Sequence, residues 1–395
     1  MRVTSNMSYY MLLGNMSRLQ ESYHATMEKI ATQKRINRPS DDPLGMVKVI
    51  DYKDVRKSVE QYKTNINVGT SWLSTAAATL QNIDDTIGKI KSIAISYVSS
   101  NPHTQDTFKD EVKDLTEQIY AFANNTFLGQ YLFSGSRTET KPFTDTPQAA
   151  QLEPAGASGS NSYTGTVTEG GTFTGTTNQT YIVRIVNDGP VSSADYQLSS
   201  DGGKTWGAVS NVWSGTDIEL DSSGPVTISF SAGTVFAGDA FFVEARAAGY
   251  YQGDDISRDV KIGPNTAMSY AIPGSQIFLP VNGIGVDLFQ VLDDLQAAMA
   301  SNNEAAVNAA IQDLSVGRQQ VQHGLASIGI KDIRFKVAEN HLTLLDKTMA
   351  DLVDKTESSD IEALAMLLAM EKISLDATYS MAAKMQQTTI LNFLR

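Results

Sequence analysis

Apolar residues recur along the chain at alternating intervals of three and four. Val59, Tyr62, Ile66, Gly69, Leu73, Ala76, Leu80, Ile83, Ile87, Ile90, Ala94 and Tyr97 share one stripe of a helix. At 1.5 Å per residue that helix is roughly 58 Å long, beyond an ordinary globular helix, and it requires partner helices alongside it. Asn101-Pro102 ends it, and Phe108, Val112, Leu115, Ile119 and Phe122 resume the spacing on a second helix. The same period runs through Leu12, Met16, Leu19, Tyr23, Thr26 and Ile30 near the start. Near the end it runs through Phe335, Ala338, Leu342, Leu345, Met349 and Leu352. A final segment carries Ile361, Leu364, Leu368, Leu375, Ala382 and Met385 before the apolar Ile390, Leu391, Phe393 and Leu394.

Between about Thr140 and Pro280 the pattern changes to Gly, Ser, Thr and Asn with short β-branched runs, among them Tyr181-Ile182-Val183-Arg184-Ile185-Val186 and Val226-Thr227-Ile228-Ser229-Phe230. Asn187-Asp188-Gly189-Pro190, Asp201-Gly202-Gly203 and Ala237-Gly238-Asp239 separate them as turns. The expected fold is α+β and multidomain: a coiled-coil-like bundle of long helices formed by both chain ends, with an inserted all-β domain. Residues 1–42 with 360–395 are expected as terminal assembly helices, 43–139 with 284–359 as a helical bundle, and 140–283 as the insert. An unpaired seam exposes apolar surface at about 25 cal/mol per Å², and isolated helices are marginal. The terminal segments are therefore expected to bury each other or to pack on further copies. Leu12, Met16, Leu19, Tyr23, Ile30, Ile361, Leu364, Leu368, Leu375, Ala382 and Met385 form the candidate assembly interface.

Charge narrows the partners. The 395 residues carry a formal charge of −13, and no Lys/Arg cluster suits a nucleic acid. Most of the excess lies in the insert, where residues 140–280 hold 6 Lys/Arg against 14 Asp/Glu, a net of −8. The insert thus reads as an acidic, solvated outer domain. Without cysteine there are no disulfides or thiolate chemistry, which is compatible with secretion. The opening stretch is too broken by Ser5, Asn6, Ser8, Gly14 and Asn15 for a cleaved signal peptide, and no run of about 18 apolar residues exists to span a membrane.

Lys34-Arg35-Ile36-Asn37-Arg38-Pro39-Ser40-Asp41-Asp42-Pro43 reads locally as a capped interhelical loop, with Asp42 capping the next helix and Pro43 at its first position. This loop also resembles the one that closes the N-terminal helix in the flagellin and hook-associated protein family. There Arg35, Ile36, Pro39, Ser40, Asp41, Asp42 and Pro43 match the motif. Met1-Arg2-Val3-Thr4 and Gly129-Gln130-Tyr131-Leu132-Phe133-Ser134-Gly135-Ser136 resemble its hook–filament junction branch, as does Thr138-Glu139-Thr140-Lys141-Pro142-Phe143. Leu391-Asn392-Phe393-Leu394-Arg395 is similar to its apolar terminus. The resemblance implies a structural flagellar subunit exported through the type III channel without a cleaved signal and residing outside the cell. Its implied partners are copies of itself, the first hook-associated protein, flagellin and, before export, a secretion chaperone. A flagellin that builds the filament itself is the nearest alternative.

Candidate chemistry is sparse. Ser199-Ser200-Asp201-Gly202-Gly203-Lys204-Thr205-Trp206 fits the Asp-box pattern of sialidase-like propellers, the basis of a remote glycan-binding or glycan-hydrolysing alternative. A box is a hairpin element, however, and a propeller needs several blades. His24, His103, His323 and His341 lie in no metal-binding spacing, and the pairs Asp254-Asp255 and Asp293-Asp294 read as solvated surface. Gly283-Ile284-Gly285 lacks the rest of a dinucleotide loop, so no cofactor is expected. The sequons at Asn124 and Asn178 carry little weight in a bacterial protein. No catalytic residue is assigned, and the chain is not expected to be an enzyme.

Overall fold

The computed structural model describes residues 5–100, 102–175, 178–221, 226–281 and 284–393. Helices α1 (Ser5–Thr32), α2 (Pro43–Val98) and α3 (Pro102–Ala123) precede the strands. Helices α4 (Ser275–Phe278), α5 (Leu288–Ala300), α6 (Glu304–Glu357) and α7 (Ile361–Phe393) follow them. Met1–Thr4, Asn101, Gly283, Leu394 and Arg395, on which parts of the sequence reading rest, lie outside the described residues. So do the side chains of His103, Met385, Ile390, Leu391, Asn392 and Phe393. The chain divides into two compact units, 1–63 with 339–395 and 64–338. The division falls inside α2 and α6, where the sequence reading looked for one at residues 42 and 360.

Within unit 64–338 the expected heptad seam is the core. Ile66, Leu73, Leu80, Ile83, Ile87, Ile90, Ala94 and Tyr97 of α2 are all buried, as are Val307, Leu314, Val321, Ile328 and Phe335 of α6. Gly69 sits where a Cβ would meet the Phe335 ring at 3.0 Å, so the absent side chain lets the ring seat against α2. A buried carboxylate crosses the same contact: Asp84 accepts from Arg318 Nε and Nη2, both at 2.9 Å. On α3 the buried stripe is Val112, Thr116, Ile119, Tyr120 and Ala123, whereas Phe108, Leu115 and Phe122 are only half-buried. With α5 packed beside it, α3 buries Val112 and Ile119 of the expected row, with Thr116 and Ala123 completing the buried stripe in place of Phe108, Leu115 and Phe122.

Apart from a short hairpin of Thr126–Phe127 with Gln130–Tyr131, which precedes the expected region, the described strands lie within it, but their cores are two. Tyr181, Val183, Ile185, Ile218, Ile228, Phe230, Phe241 and Val243 belong to one β core, whose members fall between Leu152 and Ala247. Its main sheet pairs Gln179–Ile185 antiparallel with Ala240–Arg246 and with Tyr196–Ser199. A second, aromatic core lies at the base of the strands. There Phe143 stacks on Phe289 of α5 with ring centroids 4.5 Å apart, and on Tyr251 at 5.1 Å. Phe133 and Phe278 complete it. Tyr251 donates its hydroxyl to the carbonyls of Phe133 and Asp254. Residues at both edges of the expected insert thus pack with the helices. The ribbon that joins the two cores pairs Phe143–Gln148 with Gly249–Tyr251, placing Gln148 opposite Gly249.

Candidate assembly surface

Unit 1–63 with 339–395 holds the residues that the sequence singles out. Helices α1 and α7 pack along each other. Leu12, Met16, Leu19, Tyr23 and Ile30 are half-buried and Thr26 is buried. On α7, Leu364, Leu368 and Ala382 are half-buried and Leu375 is 8% exposed. The α7 seam continues through Glu371, also 8% exposed, which accepts from Ser22 Oγ at 2.6 Å. Gln20 donates to the Tyr379 hydroxyl. Ile361 instead is 46% exposed, because it opens α7 next to the loop. The candidate residues are thus brought together mainly within one chain.

The motif loop clasps the end of α1 to the end of α6 and the connection that leads into α7. Arg35 N–H donates to the Glu357 carbonyl at 2.6 Å and Ser359 N–H to the Gln33 carbonyl, across a bridge of Lys34 with Ser358. The Arg35 guanidinium donates to the Thr356 carbonyl and to Asp42. Ile36 is buried beneath the loop. Asp41 accepts from the N–H groups of Asn37 and Arg38, which hold its carboxyl below the usual aspartate range. Asp42 caps α2 by accepting from Gly45 N–H, with Pro43 at the first helical position as expected; that bond lowers its pKa too. A Cβ on Gly45 would meet Asp42 and Ile36 within 2.6 Å, so glycine lets the cap close. Pro39 and Ser40 form the exposed tip. Glu357, with its side chain 11% exposed, pairs with Lys34 at 2.8 Å and Lys53 at 2.9 Å. Burial would raise its pKa, but the two lysine contacts outweigh it and lower the pKa overall.

A surface missed by the sequence reading lies on the opposite side of α7. Met366, Met370, Ile373 and Met381 are 64–69% exposed. Their spacings of four, three and eight place them about half a turn from the Leu364–Leu368–Leu375 seam. An apolar residue on every side of a helix signals a helix covered all round, a signal present in the sequence. At the start of α2, Leu44, Val47 and Ile50 are exposed as well.

Other candidate chemistry is structural. Asp201 accepts from Ser199 Oγ, the N–H groups of Lys204 and Thr205, and Thr205 Oγ1. Those donors, Thr205 foremost, depress its pKa, the opposite of what a general acid requires. Trp206 lies under the Arg184 guanidinium at 4.2 Å. Asp254 accepts from Ser136 N–H and Oγ and so ties the Gly129–Ser136 segment to the end of the strands. Asn178 donates its amide to the Tyr251 and Gly253 carbonyls and is buried. His24, His323 and His341 are exposed, and no metal-binding group of His, Cys, Asp and Glu exists among the described residues. No described helix is long and apolar enough to cross a membrane.

Residues 3–138 match the family described as the bacterial flagellin N-terminal helical region. The flagellar hook-associated protein 3 of Escherichia coli K12 is 26% identical over 149 residues, 37% of this chain and 47% of that one. A flagellin of Clostridium tyrobutyricum is 26% identical over 155 residues, 38% of this chain and 41% of that one. The chain thus spans less than half the length of these relatives. A solved structure of a protein assigned as flagellar hook-associated, from Vibrio parahaemolyticus, covers 80% of this chain and all of that one at 14% identity, with a TM-score of 0.49.

Proposed function

We propose that this chain, whose residues 3–138 are a flagellin-type N-terminal helical region, is a structural subunit of the bacterial flagellum that works as the adaptor between hook and filament. The observation that carries the reading is the two-sided apolar character of α7, with one side spent on α1 and the other exposed. Burying the exposed two thirds of Met366, Met370, Ile373 and Met381, at about 1–2 kcal/mol each, gives a gross gain of roughly 4–8 kcal/mol per subunit. That is comparable with the cost of about 4–15 kcal/mol for association, so each subunit needs several neighbours to hold it in place. The role is mechanical, not enzymatic. In this reading the subunit leaves the cell without a cleaved signal, accompanied by a chaperone until export. It then takes its place between copies of itself, the first hook-associated protein and flagellin.

The likeness to a flagellin supports a second reading, a filament subunit. Gold-labelled antibody on isolated flagella separates the two. A single band where hook meets filament is the expected result, label along the filament would favour the second reading, and unlabelled flagella would overturn both.

A further inference from the structure

On α6 in unit 64–338, Ile330, Ile333 and Val337 follow one another at intervals of three and four and are 54–64% exposed. At about 100° per residue they lie within about 60° of one another, on the side of α6 away from the buried Ile328 and Phe335. Gly329 stands beside them, exposed, where a Cβ would meet open space. Glycine inside a helix is destabilising relative to alanine, and no neighbour within the chain calls for one here. A second helix approaching the stripe closely would.

Charge says which surface covers the stripe. The exposed positions of α6 between residues 319 and 337 include no carboxylate, in a chain whose formal charge is −13. Arg334 and Lys336 flank the stripe on its two sides. Lys336 pairs with Asp332 at 2.6 Å, whereas Arg334 has no carboxylate partner among the described residues. Helix α3 of the same unit is the converse. Between residues 107 and 122 its exposed charges are Asp110, Glu111, Asp114 and Glu117 against Lys113. Beside them Phe108, Leu115 and Phe122, seven residues apart on one row about 21 Å long, are left only half-covered by the fold. That row is long enough to take the 330–337 stripe, about 10 Å from end to end. The stripe is open in the very subunit that holds this α3, so a pairing of the two joins different copies.

We propose that the Ile330–Ile333–Val337 stripe of one subunit docks on the acidic, half-covered α3 row of a second copy, with Arg334 set against Glu111 and Asp114. The proposal rests on the flagellar reading above. Because the two surfaces differ, the contact is head-to-tail: each copy offers α6 to one neighbour and α3 to the other, which closes a ring or continues a helix.

The photo-crosslinking residue p-benzoylphenylalanine, placed at Ile333 or at Val337 of the full chain in flagellated cells, tests this. The expected product has twice the subunit mass, with the crosslink inside residues 107–122 of the second copy. Arg334→Glu should cut its yield about tenfold or more, as should Glu111→Lys with Asp114→Lys, because each sets like charges against each other. All three changes together should restore the yield. These side chains are exposed, so each variant should melt like the wild type. No crosslinked dimer from either position, a crosslink to flagellin or another protein instead, or no rescue by the combined variant would overturn the docking. Gold label at the junction of hook and filament without this crosslink would remove the α6–α3 contact and leave the adaptor reading standing, whereas label elsewhere would remove that reading and the proposal with it.

Discussion

Excising residues 149–248 and joining Gln148 to Gly249 through Asn-Gly should leave a folded helical body. Gln148 and Gly249 are register partners in an antiparallel ribbon, so the ends stand one strand spacing apart and a two-residue turn can close them. The segment contains the whole β core between Leu152 and Ala247. Its removal costs the body the amide contacts of Asn178 to the Tyr251 and Gly253 carbonyls and the pairing of Arg137 with Glu244. Those groups become solvated on excision, so the loss is about 2–3 kcal/mol. Shortening the connection returns at most about 3.5 kcal/mol by loop entropy, and less here because the folded insert already holds its ends together. The two nearly cancel. Removing 144–273 is different, because Tyr250 and Tyr251, both buried, leave with it. Losing two core aromatics costs about 6–10 kcal/mol, comparable with a domain's net stability of about 5–15 kcal/mol. Circular dichroism melts should show a cooperative helical transition for the first deletion and none for the second. Identical behaviour of the two, or loss of cooperativity in the first, would refute the division into two cores.

Glu357→Gln should destabilise the clasp by about 1 kcal/mol, since both lysine partners are half-exposed and screened. Because the folded pKa of Glu357 is lowered, its contribution is present above the ordinary glutamate value of 4.5 and is lost as pH falls through the lowered value. The protection of the Gln33–Ile36 amides, their exchange rate relative to that of an unfolded chain at the same pH, should therefore fall in acid in the wild type, and the variant should show a smaller fall. Gly45→Ala should push Asp42 off its cap and raise exchange at the start of α2, whereas an unchanged pattern would mean the cap tolerates a Cβ. Asp201→Ala should lower the melting temperature of the β core by several degrees, from the loss of about 1 kcal/mol of turn hydrogen bonds. An unchanged melt would refute a structural role for that turn.

The long seams were legible because a 3–4 spacing held over many turns admits one buried face, and Ile66 to Tyr97 is buried as written. The capped loop was legible from Asp42-Pro43, though not its docking on Glu357, since 321 residues separate Arg35 from its Thr356 partner. The edge of the β insert was misread, because Phe143 and Tyr250 sit in strand-like sequence while packing on Phe289 of α5, and composition does not record which side an aromatic faces. On α7 the reading followed one stripe and passed over Met366, Met370, Ile373 and Met381. Glu371 in the inner seam interrupted the expected pattern, and an all-round apolar helix offers no single face to a period.

The outer face of α7 carries the functional account, and Met370→Asp tests it most directly. Met370 is 67% exposed, so a carboxylate there remains solvated in the free subunit, and its melt should match the wild type. Within an assembly the same carboxylate would be buried unpaired at a cost of several kcal/mol. Cells carrying only this variant should export the subunit, lose unpolymerised flagellin to the medium and swim no better than a deletion strain; normal filaments and normal swimming would contradict assembly through this face.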